Sequence, residues 1–258
     1  TFAECKAQVD RLASGLQKAG IKKGHRIGVL GKNSLEYFLL YGAAAALGAI
    51  LLPINWRLSA EEAVFNLNDG APDLLFVDPE YQDMVEGIKG KLSSVKTIYN
   101  LKPPGGQFHD FEALLDNDGQ FEPADVSDAD GAVIIHTAAV AGRPRGALLR
   151  QGNIISANIH INLLMQLSAA DVHLNILPLF HVGGLLMATG AFHCGALNVN
   201  MSKFDAARAV ELIAQKQVSV MFDFSPILGS ILAAAEESGR DISTLQHIVG
   251  LESPEVIE

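Results

Sequence analysis

The sequence predicts an α/β protein made of two doubly wound αβ subdomains. Three observations carry that expectation. Short apolar runs of strand type recur along the chain, stretches of helical spacing fill the intervals, and Gly, Pro or capping residues punctuate them. Strands that read as continuous apolar runs, separated by helices, indicate largely parallel sheets covered on both faces.

Taken in order, Phe2, Cys5, Val9, Leu12 and Leu16 recur at helical spacing and Gly20 closes that helix. Arg26–Leu30 (RIGVL) is a compact strand-type run. Asn33 followed by Glu36 predicts a capping box for the next helix, and Ser59 with Glu62 predicts another. The uncharged stretch Tyr37–Ile54 is Ala-rich and broken by Gly42, Gly48 and Pro53, so it reads as a helix entering a short buried strand at Ala49–Leu52. Leu74–Val77, Val95–Tyr99, Ala132–His136, Leu174–Leu177 and Val218–Phe222 add further strand-type runs. Helices are expected over Asn153–Leu167, Asp205–Gln215 and Pro226–Glu237, the last with Ser225 as N-cap and Pro226 at its first position. The acidic stretch Phe121–Asp130 (FEPADVSDAD) is poor in large apolar residues. It is the expected boundary between a first subdomain, 1–128, and a second, 129–258.

Composition narrows the function classes. The chain has 258 residues, 49% of them hydrophobic and 19% charged, which suits a globular fold with a sizeable core. A formal net charge of −10 argues against a nucleic-acid partner, because phosphate backbones are gripped by excess Lys and Arg. The two cysteines, Cys5 and Cys194, suit a reducing, cytoplasmic setting, and each reads as a buried apolar residue. A second uncharged stretch, Val172–Ser202, holds His173, Asn175, Pro178, His181, Gly183, Gly184 and Gly190, which interrupt any membrane span. The first residues do not read as the basic-then-apolar pattern of a signal peptide, and none is expected there. Thr1 is not a methionine, so the chain is expected to be cut from something longer.

The segment richest in chemistry is His136–Gly146, HTAAVAGRPRG. It follows a strand-type run, and Gly142, Pro144 and Gly146 make it a loop. Arg143 and Arg145 place two guanidinium groups there, suited either to an anion or to a solvated turn. Two lookalikes carry nothing. Gly31-Lys32-Asn33-Ser34 has Arg26 where a Walker loop's leading glycine would stand, and Gly183-Gly184 lacks the rest of a dinucleotide fingerprint. His25, His136, His160, His173, His193 and His247 have no metal-like spacing and read as ordinary surface or core residues.

Several segments, in order, resemble the adenylate-forming superfamily of acyl-CoA synthetases, luciferases and peptide-synthetase adenylation domains. Gly20–Ile27 (GIKKGHRI) is similar to that family's GVKKGDRV stretch, with His25 replacing the acid. Pro53–Ser59 (PINWRLS) matches PxNxRLT, Leu177–Gly184 (LPLFHVGG) matches PLFHxxG, and Asp241–Leu245 (DISTL) resembles DLSSL. The resemblance runs over essentially the whole chain and implies the leading half of such an enzyme. It implies ATP with Mg2+, coenzyme A and a small-molecule carboxylic acid as reactants, and a homodimer as a possible assembly.

By that resemblance, Thr137–Gly146 stands in the place of the phosphate loop TSGTTGxPKG. Thr137, Gly142, Pro144 and Gly146 are kept and Arg145 replaces the lysine. Ala138 replaces serine, Ala139 glycine, and Val140 and Ala141 two threonines. Three hydroxyls are thereby lost, worth at most about 5–9 kcal/mol against a charged ligand. Even half of that weakens ATP positioning about a hundredfold. The resemblance further implies an acyl pocket at Phe180, His181, Gly183 and Gly184, with His181 open also to the reading of a core histidine. An adenine side falls at Gly250, Leu251 and Glu252. The family's adenine and magnesium motif, ribose aspartate, hinge and catalytic lysine would all lie beyond Glu258. No catalytic residue is therefore expected within this chain, which should not complete the reaction alone. Two functions follow: ATP-dependent activation of an acid to acyl-AMP and acyl-CoA, or a non-catalytic homologue that binds an acyl or adenylate ligand without turnover.

Overall fold

A computed structural model describes residues 1–103, 105–138 and 142–251. The chain divides into two compact units, residues 1–153 and residues 154 onward.

The first unit opens with α1 (Phe2–Lys18), capped by a reciprocal Thr1–Glu4 box. There follow β1 (Arg26–Leu30), α2 (Leu35–Leu47), β2 (Ile50–Ile54), α3 (Ala60–Gly70), β3 (Leu74–Val77), α4 (Gln82–Ile88), β4 (Thr97–Asn100) and α5 (Glu112–Leu115). The hairpin β5 (Gly131–His136) and β6 (Gly146–Arg150) completes a six-stranded sheet of order β4-β3-β1-β2-β5-β6. Its strands are parallel except β6, which runs antiparallel to β5. Ile27, Val29 and Leu30 of β1, Leu51, Leu52 and Ile54 of β2 and all four residues of β3 are buried, so neighbouring side chains on both faces are covered. That double coverage is why these strands carry unbroken apolar runs.

Helix α6 (Gln151–Met165) leads to β7 (Val172–Asn175), α7 (Val182–His193), β8 (Leu197–Asn200), α8 (Ala206–Lys216), β9 (Val220–Phe224), α9 (Ile227–Ser238) and β10 (His247–Leu251). These strands form a parallel sheet of order β10-β9-β7-β8. Leu174, Ile213, Val218, Met221 and Ile231 make its core. The order repeats that of β4-β3-β1-β2, helix for helix, although the sequence contains no repeat. Among the described residues no helix is long and apolar enough to cross a membrane.

Several expectations are corrected. The division falls after Asn153, not near residue 128, because β5 and β6 pair into the first sheet. The acidic stretch expected as the boundary is tied into the first unit. Lys23 Nζ meets Asp130 at 2.8 Å and the Asp125 carbonyl at 2.6 Å, and Ala124 N–H donates to Ala46 O at 3.1 Å. Asn33 is not the cap of α2; Ser34 is, accepting from Tyr37 N–H at 3.2 Å. Ser225 does not cap α9; Pro226 holds the cap position without a side-chain hydrogen bond. The glycine-broken stretch after β7 contains a helix, α7, and strands β6, β8 and β10 were also unexpected. Both cysteines are half-buried, not buried. The capping box at Ser59 and Glu62 is present as expected.

Candidate functional site

In the first unit the candidate residues sit on the β5–β6 hairpin. Its register runs from Gly131 opposite Arg150 to His136 opposite Gly146, and Thr137 N–H donates to Arg145 O at 3.0 Å beyond the last pair. The loop therefore leaves the carboxyl end of β5, the end of a parallel sheet where α/β folds bind ligands. Thr137, Ala138, Gly142, Arg143 and Arg145 are all exposed. Gly142 takes a φ of 111°, which favours glycine, and a Cβ there would meet nothing within 4 Å. An exposed hydroxyl, two exposed arginines and an open glycine turn fit a polyphosphate. Ala139, Val140 and Ala141, expected to line the same loop, lie outside the described residues. Gly146 is required by packing, since its Cβ would approach Ile134 Cγ2 to 2.8 Å.

Two contacts at this hairpin were not foreseen. His136 Nε2 pairs with Asp69 Oδ2 at 3.0 Å, and Arg143 lies over the Phe65 ring, 5.2 Å from its centroid. Both partners come from α3. No local sequence signal links that helix to the hairpin. Only the pairing of β5 beside β2 brings them near.

A separate set of candidate residues lies in the second unit. His181 caps α7, its Nδ1 accepting from Gly183 N–H at 3.2 Å, so in the neutral ring the proton sits on Nε2. The exposed His181 ring meets Phe224 edge-on at 6.5 Å, and Phe224 meets Phe222 at 5.2 Å. It is therefore a helix cap at the surface and not a core histidine. Gly184 is buried, and a Cβ there would fall 2.4 Å from Pro178 O and 2.6 Å from Leu177 O. Gly183 lines an apolar cavity of about 370 Å³ together with Leu164 and Met165 of α6, Met187 of α7, Phe222 and Val249. Phe180, His181 and Gly184 are not part of its wall. The adjacent apolar run Leu163-Leu164-Met165 at the end of α6 is a signal that could have indicated this wall.

The expected adenine side sits on an edge strand. A Cβ on Gly250 of β10 would lie 2.0 Å from Oδ1 of the buried Asp223, so glycine is what lets the two strands close up. Leu251 is exposed, and Glu252 lies outside the described residues. His173 is buried in β7, donating from Nδ1 to Asn198 Oδ1 at 2.8 Å. Burial pushes its pKa down to about 4, against an opposing pull from Asn198. It is a core histidine, one of the two roles expected of it. Among the described residues no three His, Cys, Asp or Glu side chains are grouped to hold a metal ion.

A glycine- and arginine-bearing hairpin loop at the end of one parallel sheet and an apolar cavity beside a helix cap in another belong to an α/β fold of parallel sheets. The family match makes this specific: the chain belongs to the AMP-binding enzyme family, whose model matches residues 1–256. It is 34% identical over 251 residues to an indoleacetate–CoA ligase of Aromatoleum aromaticum, covering 96% of this chain and 49% of the relative. It is 30% identical to a fatty acid–[acyl-carrier-protein] ligase of Streptomyces coeruleorubidus, covering 98% of this chain and 49% of that protein. Among solved structures, a Rhodopseudomonas palustris protein provisionally assigned as a long-chain-fatty-acid CoA ligase matches the whole chain. The TM-score is 0.92 at 41% identity, and the match covers 64% of that chain. The N-terminal domain of FACL13 from Mycobacterium tuberculosis shares the fold, with a TM-score of 0.90 at 24% identity over all of this chain and 65% of that one. The chain spans about half the length of the curated relatives it matches.

Proposed function

We propose that the protein to which this chain belongs activates a carboxylic acid with ATP and then passes the acyl group to a thiol, most simply that of coenzyme A. A carboxylate oxygen attacks the α-phosphorus, the bond to the β-phosphate breaks, and pyrophosphate leaves. The thiolate then attacks the acyl carbonyl and AMP departs. The first step needs placement and charge neutralisation more than covalent help from protein groups.

The observation that carries this reading is the glycine- and arginine-bearing hairpin loop of an AMP-binding family member. In it Arg145 neutralises charge on the departing pyrophosphate, while the Thr137 hydroxyl and the backbone N–H of Gly142 donate to phosphate oxygens. Magnesium accompanies ATP in this reading, and its carboxylate ligand is expected in the motif that the resemblance sets past Glu258. The apolar cavity beside Gly183 takes the tail of the acid. The two relatives named for an indole acid and a fatty acid agree with an apolar tail. His181 stands at the start of the helix that walls this cavity and guards the acyl side. A homodimer, a cytoplasmic setting and an adenine contact at Gly250 and Leu251 belong to the same reading.

A second reading is favoured by one specific observation. Ala138, Ala139, Val140 and Ala141 remove the hydroxyls and the glycine of the usual loop. A homologue that binds an acyl or adenylate ligand without turnover would tolerate those losses. Carboxylate-dependent pyrophosphate release by the full-length protein separates the two, run beside Val140→Thr with Ala141→Thr. Release by the unsubstituted protein is expected, and the two threonines should raise it about tenfold or more. Silence in both would leave the binding-only homologue standing.

A further inference from the structure

Helix α3 meets the phosphate hairpin through Phe65 and Asp69, four positions apart and so on one face of the helix. At the loop, the Arg143 guanidinium lies 5.2 Å from the Phe65 ring centroid. At the stem, His136 Nε2 donates to Asp69 Oδ2 at 3.0 Å, with the His136 side chain only 5% exposed. His136 Nδ1 is buried and finds no hydrogen-bond partner among the described residues, so Asp69 is the ring's one polar anchor there. The opposite strand makes room for the pair. A Cβ on Gly146 would stand 3.5 Å from both Asp69 Oδ2 and His136 Nε2. In sequence, the two contacts stand before and after Ala138, Val140 and Ala141, where the usual hydroxyls are gone.

We propose that Phe65 and Asp69 are positioning residues that hold the hairpin at Arg143 and at His136, keeping Arg145 and the Gly142 N–H set for the polyphosphate of ATP. Arg143 then serves the loop and not the ligand. A loop ordered in advance spends less of its binding free energy on ordering when the anion arrives. Such ordering matters most where side-chain hydroxyls do not supply it. The ATP part of the proposal rests on the ligase reading; the ordering part does not.

The test uses the full protein with Asp69→Ala, Asp69→Asn and Phe65→Leu. Asp69 is 47% exposed and leucine keeps apolar bulk at position 65, so all three should fold. Amide hydrogen exchange across residues 142–147 should quicken about threefold to tenfold in Asp69→Ala and Phe65→Leu, while α1 and α8 keep their rates. Asparagine, whose Oδ1 still accepts from His136, should restore most of the protection. The Kd for ATP, titrated calorimetrically, should weaken about threefold to tenfold, with KM for the acid unchanged. Unaltered exchange in the hairpin overturns the proposal, and so does faster exchange with an unaltered Kd for ATP. If the unsubstituted protein neither binds ATP nor releases pyrophosphate, the ligase reading fails, and the exchange rates alone decide whether α3 orders the loop.

Discussion

The turn after the first strand is built in opposite ways in the two units, although both wind four strands in the same order. In the first unit β1 passes through Gly31–Asn33 into α2, and the turn is closed by packing. Gly31 and Asn33 are buried, and a Cβ on Gly31 would stand 2.6 Å from Leu101 Cδ2. In the second unit β7 passes through residues 176–181 into α7. There the cap is an imidazole, the first turn holds Gly183 and Gly184 after Val182, and an apolar cavity is left beside Gly183. Winding and burial fix where a strand end lies, and the residues that leave space unfilled decide whether it becomes a site. The first unit makes up for its closed turn with an added hairpin, whose loop carries the exposed arginines.

The largest expected effect breaks the open turn itself. Gly184→Ala drives a methyl into two backbone carbonyls that cannot move aside, and should cost about 3 kcal/mol or more of the second unit's stability. Urea unfolding reads this directly. A loss below about 1 kcal/mol would mean that the start of α7 can shift to accommodate the methyl.

A pH effect of similar size should separate the two units. Burial holds His173 near pKa 4, whereas the unfolded side chain titrates near 6.5. The unfolded chain therefore binds more protons between those values. Stability held in full above pH 6.5 is lost as pH falls towards 4, up to about 3 kcal/mol. Unfolding curves at pH 7 and pH 5 should differ in the second unit, and His173→Gln should flatten the difference. A slope untouched by that substitution would assign it to other groups.

Charge at the hairpin comes next. Arg145→Ala should lower carboxylate-dependent pyrophosphate release about tenfold to a hundredfold with little change in stability, because the side chain is exposed. Unchanged turnover would remove Arg145 from the phosphate site. The smallest effect sharpens the acyl side. A Cβ on Gly183 would lie 2.9 Å from Phe222 Cε1, a side chain able to swing into the cavity. Gly183→Ala should therefore raise KM a few-fold for bulky or long acids relative to short ones. Equal effects on all acids would place their tails elsewhere.

The fold was legible wherever burial wrote itself into the sequence. The expected strands at β1 and β3 have the observed bounds because every residue of both but Arg26 is buried. The unexpected strands are of another kind. β6 and β10 are mostly exposed and β8 is only half-buried, so their apolar letters (Ala147–Leu149, Ile248–Leu251) are few or not matched by burial. α7 was hidden by glycines that look like breakers but serve close packing against Leu177 and Pro178. At the candidate site, the motif letters located the hairpin and Gly183. They did not indicate Phe65, Asp69, Phe222 or Val249, because those residues join the site through sheet pairing across long stretches of chain.

The antiparallel pairing of β6 has a consequence for how such a loop can change. A loop between parallel strands must cross over a whole sheet, so altering it disturbs the helix that makes the crossing. Here both ends of the loop are fixed side by side by the ladder from Gly131 and Arg150 to His136 and Gly146. The segment between them is a replaceable cassette on a rigid stem: its letters can be exchanged, lengthened or stripped of hydroxyls without asking anything new of the sheet.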